Sequence, residues 1–150
     1  MIVQPSTNDY EKLINVWENS VRETHSFLME EDIQFYKPLI LKEYFPQVDL
    51  YCHKEDNQRI DGFMGIVGDK LEMLFIDSGK RGKGIGKVLL AYAINERNVK
   101  WVDVNEQNSL AVGFYQHMGF QVVSRSELDG TGKPYPILSM EYWKSQKCLK

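Results

Sequence analysis

The stretch from Leu74 to Leu90 constrains this chain more than any other: an apolar segment runs into a tight glycine loop, then into an amphipathic repeat. Gly82, Gly84 and Gly86 delete every second side chain, so main-chain N–H groups can crowd around one anionic object. A helix starting near Ile85 adds its unbonded first-turn N–H groups and the positive end of its dipole. Lys80, Arg81, Lys83 and Lys87 lie within the same eight residues, with no acid among them. The net charge of the chain is −3, so these four cations leave −7 for everything else. A local positive site on a mildly acidic protein points to one specific anionic ligand rather than to general polyanion binding. A pyrophosphate is the natural candidate.

Spacing decides among the loop chemistries. Gly79 to Gly84 supplies the first six positions of a Walker loop, but Ile85 and Gly86 then stand where Lys and Ser/Thr belong. Without that Lys and the magnesium-binding hydroxyl, phosphoryl transfer is not expected. Both Gly82-x-Gly84 and Gly84-x-Gly86 lack the last glycine of a dinucleotide fingerprint, having Lys87 and Leu89 there. Arg-x-x-Gly-x-Gly is met in full by Arg81, Gly84 and Gly86. In this the stretch resembles the acyl-CoA pyrophosphate loop of the GNAT superfamily. The plain alternative is a glycine-rich strand-to-helix turn that binds nothing.

Around this centre, periodicity predicts the other elements. Ile2-Val3 reads as a short strand, and Thr7 or Asn8 as the cap of a helix with Glu11 as its capping-box partner. Leu13, Val16, Trp17, Ser20, Val21 and Thr24 share one face of that helix, with Trp17 read as core. Glu30 to Tyr44 resumes helical spacing, kinked or divided at Pro38. From Val48 the period becomes two: Asp49–Lys54, Arg59–Val67 and Lys70–Ile76 form a meander, with Gly62 and Gly65 as places for bulging or close approach. A helix over 84–97, with Ile85, Val88, Leu89, Tyr92 and Ala93 inward, leads to a strand over 101–105 parallel to its predecessor. A helix over 109–118 and an antiparallel pair, 121–127 and 137–143, complete the chain. The fold class is α+β: one domain over 1–150, with a mixed, mostly antiparallel sheet of about seven strands flanked by helices.

No apolar run approaches a membrane span and no signal pattern opens the chain, so no membrane association is expected. Cys52 and Cys148 do not make a disulfide framework, which makes a cytoplasmic location the expectation. His25, His53 and His117 lack metal-ligand spacing, so no metal is expected.

A second motif follows the loop. In Asn108-x-x-Ala111-x-x-x-Tyr115-x-x-x-Gly119-Phe120, one helix face carries Asn108, Ala111, Tyr115 and Met118, and Gly119 fits a left-handed helix terminus. Alone, it reads as an amphipathic helix with Tyr115 as core. Its order and distance after Arg81 match the GNAT pattern over Leu71 to Phe120. Segments such as Thr24-His25-x-Phe27-Leu28, Asn105-Glu106-Gln107-Asn108 and Gly132-Lys133-Pro134-Tyr135-Pro136 further resemble the bacterial YjaB-type subgroup. One departure is Ser78, where many members carry Pro.

The resemblance implies an acetyl-CoA-dependent N-acetyltransferase. It places coenzyme contacts at Leu74, Phe75, Ile76, Arg81, Gly82, Lys83, Gly84, Ile85, Gly86, Lys87, Asn108 and Ala111. It makes Tyr115 the acid that protonates the departing thiolate, and puts Asn105 and Tyr135 in the acceptor pocket. A lysine-like ammonium is about three pKa units from deprotonation at neutral pH, a deficit of roughly 4 kcal/mol, so a base is needed. Glu72 is the first candidate, taken as sharing a strand face with Leu74; His25 is the second and Glu106 the third. The expected partners are acetyl-CoA and an amine, first a protein or peptide lysine, with no nucleic acid, in a monomer or homodimer. The competing classes are a catalytically silent acyl-CoA sensor and a nucleotide-binding protein of another kind.

Overall fold

The structure, a computed structural model, describes residues 1–143. Strands β1 (Ile2–Val3), β2 (Asp49–Lys54), β3 (Ile60–Val67), β4 (Lys70–Ile76), β5 (Trp101–Asn105), β6 (Phe120–Ser126) and β7 (Ile137–Tyr142) form one sheet in the order β1-β2-β3-β4-β5-β7-β6. Only β4 and β5 pair in parallel; every other neighbour is antiparallel. Helices α1 (Tyr10–Thr24) and α2 (Glu30–Leu39) cover one face, and α3 (Ile85–Arg97) and α4 (Ser109–His117) the other. The α+β expectation holds. Cys52 is buried, and Cys148 lies outside the described residues. Among those described, no helix is long and apolar enough to cross a membrane.

Each face has its own core. Leu13, Trp17 and Val21 of α1 pack with Leu50, Cys52 and Phe63, whose ring lies 5.7 Å from that of Phe45. On the opposite face, Leu89, Leu90 and Ala93 pack with Met64, Val102 and Met140. Trp17 is core, as expected. A Cβ on Gly62 would come within 3.1 Å of Ile85 Cγ2, so the missing side chain lets α3 lie close to the sheet.

The strand that matters most carries an irregularity. Gly65 pairs with Met73 and Ile66 with Leu71, so Glu72 is an extra residue on β4, a β-bulge. The burial pattern records the same shift. Leu71 packs in the core beneath α3, whereas Met73, which unbroken alternation would put beside it, packs beneath α1. Leu74 and Ile76 then return to the α3 side. The uniform period assumed for β4 is thereby corrected at Glu72, whereas Met73 to Ile76 keep strict alternation. The bulge also ends the parallel pairing, which is confined to Lys70 with Trp101 and Leu71 with Val102.

Three local expectations change. The cap lies at Ser6, one residue before Thr7: the Ser6 N–H donates to Asp9 Oδ2 at 3.0 Å, and a 3-10 turn over Thr7–Asp9 leads into α1. Pro38 does not divide the second helix. It lies inside α2, and the winding widens to π-helical over Ile40–Tyr44 directly after it, as suits a residue that cannot donate its helical hydrogen bond. Val88 is 48% exposed, and Leu90 takes its place in the core because the sheet covers that flank of the Ile85–Leu89–Ala93 stripe.

Deleting Glu72 should remove the bulge and leave Leu71 and Met73 to Ile76 alternating on the faces they already occupy. The deletion variant is therefore expected to remain cooperatively folded, and Glu72→Ala should shift stability by less than about 0.5 kcal/mol. Urea denaturation of the two variants checks this.

Candidate active site

Past the bulge β4 and β5 part, leaving a wedge between two strands that are each paired only on their outer sides. This wedge opens into a cleft of about 490 Å³. Leu74, Phe75 and Ile76 form its β4 wall and Asn105 part of its β5 wall. Arg81, Gly82, Gly84, Ile85, Gly86 and Lys87 close one end, and Asn108, Ala111 and Tyr115 contribute from α4. Glu72 and His25 also reach the wall. Lys83 and Tyr135 do not.

The glycine loop adopts a shape that side chains would resist. Gly82 and Gly84 have φ of +79° and +82°, in the left-handed region, and Gly84 is the N-cap of α3. The first helical bond runs from the Val88 N–H to the Gly84 carbonyl at 3.0 Å, so the preceding N–H groups of the first turn precede the helical ladder. Ser78, in place of proline, begins a 3-10 turn closed by the Lys80 N–H on the Asp77 carbonyl at 2.8 Å. The buried Asp77 carboxylate is held by Arg59 at 3.1 Å, which anchors that turn. Two loop cations have partners outside the loop: Arg81 meets Glu23 at 2.8 Å and Lys80 meets Glu55 at 2.5 Å.

Tyr115 is 6% exposed, its ring 5.3 Å from that of Phe114 and 5.8 Å from that of Phe120. Burial pushes its phenol above the ordinary value, so it holds its proton at neutral pH. Asn108 is the N-cap of α4, its Oδ1 accepting from the Ala111 N–H at 3.2 Å. Asn105 Oδ1 accepts from the Gln107 N–H at 2.9 Å.

The candidate bases differ sharply. Glu72 sits at the bulge with a loose 3.8 Å contact to Lys70, whose ammonium is held more closely by Asp103 at 2.7 Å. Burial lowers the His25 imidazole to about 4. Glu106 is engaged by both arms of Arg125, at 2.7 and 3.1 Å, and does not line the cleft.

Tyr135 is drawn away by a clasp beside the site. Its hydroxyl donates to Asp32 of α2, Lys133 Nζ lies 3.0 Å from the same carboxylate and 4.5 Å from the centre of the Phe35 ring, and Tyr36 donates to Asp129. Residues not foreseen on the wall include Leu110, Phe114 and Thr24. Leu110 could have been found as the apolar residue that breaks the inward pattern of α4, since it is 66% exposed. Phe114 stands 3.6 Å from where a Gly86 Cβ would be, which explains a ring beside the third glycine.

A family model for the acetyltransferase (GNAT) domain matches residues 21–136. The chain is 42% identical, over 88% of its length and 90% of the relative's, to the peptidyl-lysine N-acetyltransferase YjaB of Salmonella typhimurium. The solution structure of apo YjaB from Escherichia coli superposes with a TM-score of 0.88 at 37% identity, covering 95% of this chain and 96% of that one. PaiA N-acetyltransferase of Thermoplasma acidophilum, solved in complex with coenzyme A, shares the fold with a TM-score of 0.72 at 23% identity, covering 95% and 98% of the two chains.

The neutral state of His25 has a pH signature. Its pKa in the fold is depressed from 6.5 to about 4, so its contribution to stability is full above 6.5 and is lost as the pH falls through about 4. The urea-denaturation stability of the wild type relative to His25→Gln should therefore fall between pH 6.5 and pH 4 and be flat above pH 7.

Proposed function

Since this chain belongs to the GNAT acetyltransferase family, we propose that it moves the acetyl group of acetyl-CoA to the side-chain amine of a protein or peptide lysine. The observation that carries the reading is the convergence of the glycine loop, the open edge of β4 and Tyr115 on one cleft. That the YjaB relative is a peptidyl-lysine N-acetyltransferase supports the choice of lysine as acceptor.

The chain would divide the work as follows. The first-turn N–H groups of α3, with Arg81 and Lys87, take the coenzyme's diphosphate, helped by the helix dipole. Leu74, Phe75 and Ile76 offer unpaired main-chain groups to the amide-bearing arm, as a sheet edge takes up an added strand. Holding the thioester there turns a bimolecular encounter into a local one. A neutral amine attacks the thioester carbonyl carbon, and an N–H of Leu74 or Phe75 steadies the negative oxygen. As the C–N bond forms and the C–S bond breaks, sulfur leaves with the electron pair and Tyr115 supplies a proton to it. Because burial holds the phenol above its ordinary value of about 10, against about 8.5 for a thiol, it donates while charge is building on sulfur.

Before attack, the ammonium must lose a proton. Glu72 is the base in this reading, since it lies on the cleft wall and the Lys70 ammonium near it is held more tightly by Asp103. Asn105 lines the acceptor end, and Tyr135 shapes that end from outside through its hold on Asp32.

Incubating the protein with acetyl-CoA and a panel of lysine peptides, polyamines and amino acids, with detection of free thiol, tests the activity. Turnover should be highest on a peptide; turnover with none of the acceptors would favour a silent acyl-CoA sensor. Tyr115→Phe is expected to lower kcat by about 100-fold with a much smaller change in the acetyl-CoA KM. Gly84→Asp combines a strained left-handed residue with a carboxylate at the diphosphate, and calorimetry should detect no coenzyme binding. Glu72→Gln should remove the limb of the pH–rate profile that reports the base, and its retention would move the base elsewhere.

A further inference from the structure

A chain of hydrogen bonds crosses the cleft from α4 to α1, and each of its polarities is fixed by chemistry. At one end, the Ala111 N–H can only donate, so the Asn108 atom facing it at 3.2 Å is Oδ1. The other amide atom is therefore Nδ2, a donor, lying 3.4 Å from His25 Nε2. At the far end, the Ser20 carbonyl can only accept, so Thr24 directs its hydroxyl hydrogen there at 2.8 Å. Thr24 Oγ1 must then accept from His25 Nδ1, 2.7 Å away. Both ends assign the same state: a neutral ring with its proton on Nδ1 and an acceptor lone pair on Nε2.

We propose that His25 is a positioning residue that acts through Asn108. With Oδ1 committed to the cap of α4 and one Nδ2 hydrogen committed to His25, the amide cannot flip. It presents its second Nδ2 hydrogen to the cleft, so the ligand atom that lies against Asn108 is a hydrogen-bond acceptor. On the functional reading above, on which this part rests, that atom is a carbonyl of the coenzyme's amide arm. An imidazole with both nitrogens engaged in this way has no free site from which to take a proton from the acceptor amine. The same chain joins the end of α1 to the start of the helix that carries Tyr115.

Nitrogen-15 NMR of the imidazole groups in the whole protein at pH 7 reads the tautomer without any ligand. His25 should show a protonated Nδ1 and an unprotonated Nε2; the opposite tautomer, or an imidazolium, overturns the proposal. Steady-state kinetics read the consequence. His25→Leu should raise the acetyl-CoA KM about three- to tenfold, as loss of one neutral hydrogen bond does, with kcat changed by less than about twofold. The Gln amide oxygen can stand where Nε2 stands, so His25→Gln should recover most of that affinity. In an Asn108→Ala background, His25→Leu should add nothing further. Full additivity, or a collapse of kcat in His25→Gln as deep as in His25→Leu, overturns the proposal, the second outcome by making His25 the base. If His25→Leu fails to fold, the NMR spectrum and the Gln variant decide. A wild type that does not bind acetyl-CoA would sink the functional reading while the tautomer assignment is still read.

Discussion

One extra residue in β4 governs the molecule. Had β4 kept a regular period, it would pair with β5 along its whole length and the sheet would close, as a parallel neighbour fills each main-chain hydrogen bond. The bulge at Glu72 bends the strand and stops that pairing after Leu71. Main-chain groups left open in this way are ordinarily a liability, since they invite a stray strand. Here they lie inside a cleft, where a ligand with amide groups can occupy them. The same insertion sends Leu71 and Met73 into different cores, so packing on both faces holds the bulge in place.

Electrostatics refine what the glycines begin. Part of the loop's positive charge is already engaged, because Glu23 and Glu55 pair with Arg81 and Lys80. Such surface pairs are worth little individually and yield readily to a stronger anion. On the proposed function, an incoming diphosphate would compete with these two carboxylates, while the main-chain donors of α3 would need no rearrangement. Preorganised dipoles supply the constant part of the recognition, and the side chains adjust around it.

Much of this was legible in the chain itself, for definite reasons. The segment from β4 through α3 could be read because glycine spacing, charge and helical period all point to one local structure. The bulge could not, since Leu71, Met73 and Phe75 are all apolar and look like ordinary alternation. Val88 misled because helical spacing defines a stripe but not which flank the sheet covers. Only the family resemblance puts Tyr135 in the acceptor pocket; its partner Asp32 is 103 residues away, and no local pattern reports such a pairing. His25 was visible as a titratable group near a helix end, but its environment depends on Asn108, 83 residues further on.

The clasp of Asp32, Tyr36, Asp129, Lys133 and Tyr135 ties α2 to the connection between β6 and β7. Two segments distant along the chain are thus one mechanical part. A chimera that imported only the β6–β7 connection from another enzyme would leave Asp32 and Tyr36 without their counterparts, with a carboxylate stripped of its ammonium. A change at one end of this clasp is therefore felt at the other, and the two segments can be exchanged only together.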